Sequence, residues 1–213
     1  MCSGARASSR HQGEAAARLG RCSSGAWRSL VAADFFTAEV WSFRVLVTYY
    51  VLFIIEQAKR VVHVAGITAQ PNESWMMQVA RNLTDQFNAR LADKTHLIVD
   101  RDTKYTAQFR RLIGESRTAV IRLTPRSSNL NAYAERFVRS IKEECLDRMI
   151  FVGQAALRRA VSDFVAHYHR ERNHEGLGNR LIQPQPRSLA TGASVRRHER
   201  LGGMLSFYYR PPA

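Results

Sequence analysis

Residues 97–105 read LIVDRDTKY. Three branched apolar residues run into an aspartate, and a polar stretch follows at once. A run this short and this apolar reads as a strand covered on both faces. The spacing predicts a strand over His96–Val99, with Asp100 just past its carboxyl end, where open α/β sheets place ligands. Downstream, a helix is expected near Ala107–Ile113 and another strand over Ala119–Leu123. Strand, helix, strand implies parallel pairing through a right-handed crossover.

Toward the N-terminus, a strand is expected over Ser29–Val40, where LVAADFF (residues 30–36) sets Asp34 inside an otherwise apolar run. A β-branched and aromatic strand follows over Leu46–Glu56, a polar break at Gln57–Arg60, and a third strand over Val61–Thr68. Short connections predict an antiparallel meander. Pro71 and Asn72 announce a helix with Asn72 as N-cap and with Trp75, Met76, Val79 and Leu83 at helical spacing.

Toward the C-terminus, Thr124–Asn129 (TPRSSN) is loop-forming. A long helix then turns Ala134, Phe137, Val138, Ile141 and Cys145 inward, and another over about Gln154–His169 turns in Leu157, Val161, Phe164, Val165 and Tyr168. Residues 1–27 are rich in Ala, Gly, Ser and Arg without hydrophobic period and are expected to be disordered or unrelated to the rest. The expected organisation is this segment, a core over residues 28–190 and an irregular tail over residues 191–213, with prolines at 184, 186, 211 and 212 marking the irregular ending.

The chain has 213 residues, 45 % of them hydrophobic, enough to bury a core. Thirty-two Lys and Arg stand against 18 Asp and Glu, a net charge of +14. Such a field attracts polyanions, without separating DNA from RNA or an anionic membrane surface. Cys2, Cys22 and Cys145 have no CxxC spacing, which argues against zinc and against a disulfide scaffold. No signal peptide is apparent, and the apolar run Val45–Ile55 is too short to span a bilayer. A cytoplasmic, nucleoid-associated protein without membrane contact is expected. There is no GxxxxGK[ST] segment, so no nucleotide cofactor is expected.

Three acids stand out by position: Asp34 inside a strand, Asp100 at a strand end, Glu135 near the start of a helix. Taken singly, each has the ordinary reading of a cap or an ion-pair partner. A charge inside an apolar strand is costly unless it is paired or binds metal. Together they supply hard oxygen ligands suited to Mg²⁺ or Mn²⁺.

LIVDRDTKY, 34 intervening residues between Asp100 and Glu135, and PRSSNLNAYAERFVRSIKEEC (residues 125–145) resemble the catalytic core of DDE-type insertion-sequence transposases, the integrase-core family. Retroviral integrases share it more distantly. YHRERNHEGL (residues 168–177) is similar to the family's closing Y-x3-R-x-H-x2-L signature, through Tyr168, Arg172, His174 and Leu177. AADFFTAEVW and TYYVLFII (residues 32–41 and 48–55) resemble its first two strands, with Asp34 matching the first catalytic aspartate. The resemblance covers about residues 30–190.

It implies an α/β, RNase H-like fold: a five-stranded mixed sheet, strands one to three antiparallel and four and five parallel, flanked by helices. It also implies DNA transposition or integration, in which Asp34, Asp100 and Glu135 hold two Mg²⁺ or Mn²⁺ ions for in-line phosphodiester attack. The partners implied are the element's DNA ends and target DNA, with a homo-oligomer assembled on them. Glu135, Arg139 and Lys142 at i, i+4 and i+7 share a helix face, so the two cations are expected to touch phosphates. The plain alternative is a solvated face with an Arg139–Glu143 pair. Lys104, Arg136, Arg172 and His174 are further expected DNA contacts, with structural bracing the favoured role for Arg172 and His174. Asn129 and Asn131, just before the catalytic helix, fit turn chemistry or positioning of the helix start. Full-length relatives begin with a helix-turn-helix region that residues 1–27 do not match, which points to a truncated element. Two other readings stay open: a metal-dependent nuclease on the same fold, and a non-catalytic DNA-binding remnant.

Overall fold

The computed structural model describes residues 26–85, 90–123, 131–184 and 194–210. The expectations for residues 1–25 and for Thr124–Asn129 lie outside the described residues. After a 3-10 turn at Ala26–Ser29 come β1 (Leu30–Ser42), β2 (Val45–Glu56), β3 (Val62–Thr68), α1 (Glu73–Thr84), β4 (His96–Val99), α2 (Ala107–Glu115) and β5 (Ala119–Arg122). They are followed by α3 (Ala132–Glu144), the two-residue β6 (Phe151–Val152), α4 (Gly153–Arg170), β7 (Arg196–Arg200) and β8 (Leu205–Tyr209).

The sheet order is β3-β2-β1-β4-β5, with β6 paired to β1. β2 and β3 are antiparallel, whereas β1–β4 and β4–β5 are parallel. This is the mixed α/β sheet that the spacing and the family resemblance imply. The two-residue connection between β1 and β2 forces them antiparallel, and its residues Phe43 and Arg44 both have positive φ, 47° and 82°. That is the primed-turn geometry whose twist matches paired strands. It carries no Asn-Gly or Asp-Gly signal, and the expected strands stop two residues short of the turn on β1 and one residue short on β2.

The contacts divide the chain into two compact units. The first contains, among the described residues, 26–37, 49–85, 90–123 and 131–136. Its core sets Val31, Leu52, Ile54, Leu97 and Val99 of the sheet against Met76, Val79, Ala80 and Leu83 of α1 and Phe109 and Ile113 of α2. Each large apolar side chain buried this way contributes roughly 1.5–3 kcal/mol. Asn72 caps α1 by accepting from the Trp75 N–H, as expected. Gly66 of β3 is required by packing: a Cβ there would sit 2.7 Å from Cζ2 of Trp75.

The second unit contains 38–48, 137–184 and 194–210 among the described residues. Phe137 meets Tyr168 edge-on at 5.1 Å and packs at 6.1 Å from Phe164. Val40 of β1 pairs with Phe151 of β6. Where an irregular tail is expected, residues 196–209 form an antiparallel hairpin. Its turn uses Gly202 and Gly203 at φ 67° and 91°, and Phe207 and Tyr209 stack within 3° of parallel. The strand RRHER lacks the apolar alternation by which strands are read, which hides it from a period-based reading.

Candidate active site

The first unit assembles an acidic corner by register. β1 and β4 pair in parallel up to Ala33↔Val99. One step further along both chains stand Asp34 and Asp100, on neighbouring strands about 4.8 Å apart. Val31, Ala33, Leu97 and Val99 belong to the core beneath α1 and α2. Side chains alternate along a strand, so Asp34 faces away from that core, and Asp100 continues the same alternation. Glu135 comes from α3. Asn131, in the turn before it, donates from Nδ2 to Oδ2 of Asp34 at 3.0 Å. Its carbonyl accepts the Glu135 N–H at 3.0 Å, so Glu135 follows one helical turn later on the same face.

Asp34 is partly buried, and its Oδ1 accepts the Phe35 N–H at 2.7 Å. Burial pushes its pKa up to about 6; the bonds from Phe35 and Asn131 hold it back, while the negative charges of Asp100 and Glu135 add to the rise. Asp34 therefore lies within electrostatic reach of both other acids. No Lys or Arg is ion-paired with Asp34 among the described residues. Asp100 accepts the Asp102 N–H at 2.9 Å, closing an Asx turn at the strand tip. Glu135 is exposed.

Among the described residues, the buried polar atoms of the first unit that make no hydrogen bond include Oδ1 of Asn131, whose Nδ2 bonds Asp34, and the hydroxyl of Tyr105. Leaving a buried hydrogen-bonding group unmade costs about 1–3 kcal/mol. Tyr105 is 3 % exposed, and burial together with the charges of Asp34, Asp100 and Asp102 raises its pKa well above the ordinary phenol value. The sequence reading passed over Tyr105, because nothing local separates it from a core aromatic. Among the described residues no three His, Cys, Asp or Glu side chains are already closed around a point where an ion would sit. The donor set still fits a hard divalent cation: among the described residues, carboxylates without a cationic partner and an amide oxygen without a donor.

Residues 116–181 match the integrase core domain family. That match covers less than half of the chain. Its fold is similar to the catalytic core domain of the HTLV-2 integrase, solved in complex with magnesium in a dimeric form (TM-score 0.52, 10 % identity, 73 % of this chain and 93 % of that one). It is also similar to the catalytic domain of the Mos1 mariner transposase (TM-score 0.53, 12 % identity, 73 % and 77 %). A third likeness is to a simian T-cell lymphotropic virus intasome in complex with the PP2A regulatory subunit B56 gamma (TM-score 0.50, 12 % identity, 87 % and 67 %). At these identities the likeness is one of fold. No curated protein matches the chain.

The expected basic contacts separate into engaged and unengaged side chains. Lys104 is held: its ammonium lies 2.6 Å from Oδ2 of Asp102 and over the rings of Phe35 and Tyr50. Arg172 pairs with Glu144 at 2.7 Å and lies over the Tyr168 ring. His174 meets the Tyr168 carbonyl at 2.7 Å through Nε2 and stands edge-on to that ring. Both sets of contacts lie within the second unit. Arg136 and Arg139 are exposed and Lys142 half-buried, with no ion pair among the described residues; the Arg139–Glu143 pair is not formed.

Proposed function

We propose that this integrase core catalyses metal-dependent phosphodiester cleavage and strand transfer in DNA, the chemistry of transposition and integration, with Asp34, Asp100 and Glu135 as its catalytic carboxylates. The observation that carries the reading is Asp34: a partly buried carboxylate, flanked by two acids and bonded only to neutral N–H donors among the described residues. A fold retains such an electrostatically unfavourable arrangement where it serves a site. Asp34 and Asp100 would hold two Mg²⁺ or Mn²⁺ ions, with Glu135 completing the ligand set. Bound there, the ions would cancel the repulsion between carboxylates and phosphodiester, activate the attacking water or 3′-hydroxyl, and stabilise the leaving oxygen.

The chain's own residues do the remaining work. Phe35 N–H and Asn131 fix the Asp34 carboxylate and keep it competent to ionise. The Asx turn orients Asp100. Arg136, Arg139 and Lys142 contact phosphates of the DNA end, while Arg172 and His174 act through bracing. The partners are the element's DNA ends and its target, on which copies of the chain assemble as a homo-oligomer in the cytoplasmic nucleoid. No helix among the described residues is long and apolar enough to cross a membrane.

The test is cleavage and strand transfer with a pre-cut DNA end and Mg²⁺. The parent is expected to join the end to target DNA, and Asp100→Asn is expected to fall to background. Cleavage without joining would convert the reading to a nuclease, and equal activity of parent and variant would remove the carboxylates from the chemistry.

A further inference from the structure

The β1–β2 hairpin ends in side chains that a monomer's surface rarely gathers. Trp41 is 46 %, Leu46 50 %, Val45 61 % and Val152 74 % exposed, and Phe43 at the tip is fully exposed. They are contiguous by register. The two-residue turn sets Trp41 across from Leu46, and the Thr48 hydroxyl, donating to Glu39 Oε1 at 2.8 Å, marks the same pairing one row further from the tip. On its other side Trp41 pairs with Val152 of β6. Leu46, Trp41 and Val152 therefore form one apolar row across three strands. Side chains this exposed offer on the order of several hundred Å² of apolar surface, the size that marks an interaction site.

The row runs to an open edge. β3 pairs with Tyr50–Ile55 of β2, and no described strand lies beside the outer side of Val45–Thr48. Backbone N–H and C=O groups along such an edge are a template for another extended chain, and edges are ordinarily blunted by charge or proline. Val45, Leu46, Val47 and Thr48 supply neither. Two charges flank this segment: Arg44 at the tip and Glu39 beside Thr48, both exposed and neither in an ion pair among the described residues. Opposite in sign, they leave the hairpin end neutral in a chain of net charge +14, so a phosphate backbone would find no excess of cations there. A second copy does find its complement. Antiparallel pairing of identical edges about a two-fold axis brings the same patch to both sides of the interface. It also lays the tip of each hairpin alongside the Glu39–Thr48 end of the other.

We propose that the Val45–Thr48 edge of β2 is a dimerisation surface, on which a second copy of this chain pairs its own edge antiparallel and continues the sheet, with Arg44 of each copy reaching Glu39 of the other. The pairing closes the unpaired edge and takes Val45 and Leu46 of both copies out of water. It is independent of the carboxylate site.

Sedimentation velocity of the full chain, without DNA or metal, tests it. The parent is expected to pass from monomer to dimer as its concentration rises. Leu46→Lys puts a charge on the open edge, and Arg44→Glu sets like charges against each other; each should weaken the dimer at least about tenfold. Both positions are exposed, so the circular dichroism of either variant should overlay the parent's. Combining Arg44→Glu with Glu39→Arg restores opposite signs and should restore the dimer. A parent that stays monomeric, a dimer indifferent to Leu46→Lys, or a charge-swapped double variant no more dimeric than Arg44→Glu alone would overturn the edge-to-edge pairing.

Discussion

Two partly buried carboxylates in this protein live in opposite electrostatic settings. Glu171, in the second unit, accepts from the Arg200 guanidinium at 2.7 and 3.0 Å and faces His167 at 3.0 Å, with His198 at 3.5 Å. Burial raises its pKa, but the bonds from Arg200 and His167 win and hold it below the usual carboxylate range. Asp34, in the first unit, has only neutral donors and two acids for company, and ends near 6. Glu171 ties the β7–β8 hairpin to α4, since Arg200 also reaches Asp163 at 3.5 Å. A compensated charge serves the architecture, whereas an uncompensated one is a candidate for a functional site. The same contrast sorts the basic side chains, with Arg172 spent on Glu144 and Arg136 left to solvent.

This contrast can be broken by experiment. The largest expected effect is at Asp34. Its folded pKa lies above the usual 3.8, so the fold favours the protonated form, and stability is lost as pH rises from about 4 to about 6. Asp34→Asn should therefore stabilise the metal-free protein at pH 7 by about 3 kcal/mol, two pKa units at ~1.4 kcal/mol each. The gain should vanish below about pH 4. Denaturant unfolding across that range checks it, and a variant less stable than the parent at pH 7 would erase the distinction between the two carboxylates.

Glu171 carries the opposite sign. Its depressed pKa gives stability that is present above 4.5 and lost as pH falls through the folded value. Glu171→Gln should cost about 2 kcal/mol near neutrality, the worth of hydrogen bonds to a charged group. Its Mn²⁺ affinity should match the parent's, and a drop would show that the acidic corner depends on the second unit's charges. The smallest effect belongs to the cations. Arg136→Ala should lower the slope of log K against log salt for DNA binding by about 0.9, one phosphate contact. Arg172→Ala should leave that slope alone and change stability by about 1 kcal/mol or less. Equal slopes for both variants would dissolve the division into spent and free cations.

Much of the fold is legible in residue order. β4 runs His96–Val99 as its three apolar residues predict, and Asn72 caps α1 where the Pro-Asn signal stands. These are local matters, decided by side-chain period and capping chemistry within a few residues. The β1–β2 turn and the β7–β8 hairpin were not legible: Phe43-Arg44 lacks the residues that favour positive φ, and RRHER lacks an apolar face. Tertiary packing overrides local preference at both. Asn131 shows the boundary within one side chain. Its place before the helix is read from the sequence, but its bond to Asp34, 97 residues away, is not.

From residue order alone come the three acids, the strand and helix that carry them, the basic balance of the chain and the resemblance to the integrase core. Each is a property of composition or of near neighbours. The structure alone decided which charges are compensated: that Asp34 and Asp100 end neighbouring paired strands, and that Arg172 and Lys104 are already engaged. Register, burial and electrostatic coupling are relations between residues distant in the chain, and they come into existence only when the sheet closes.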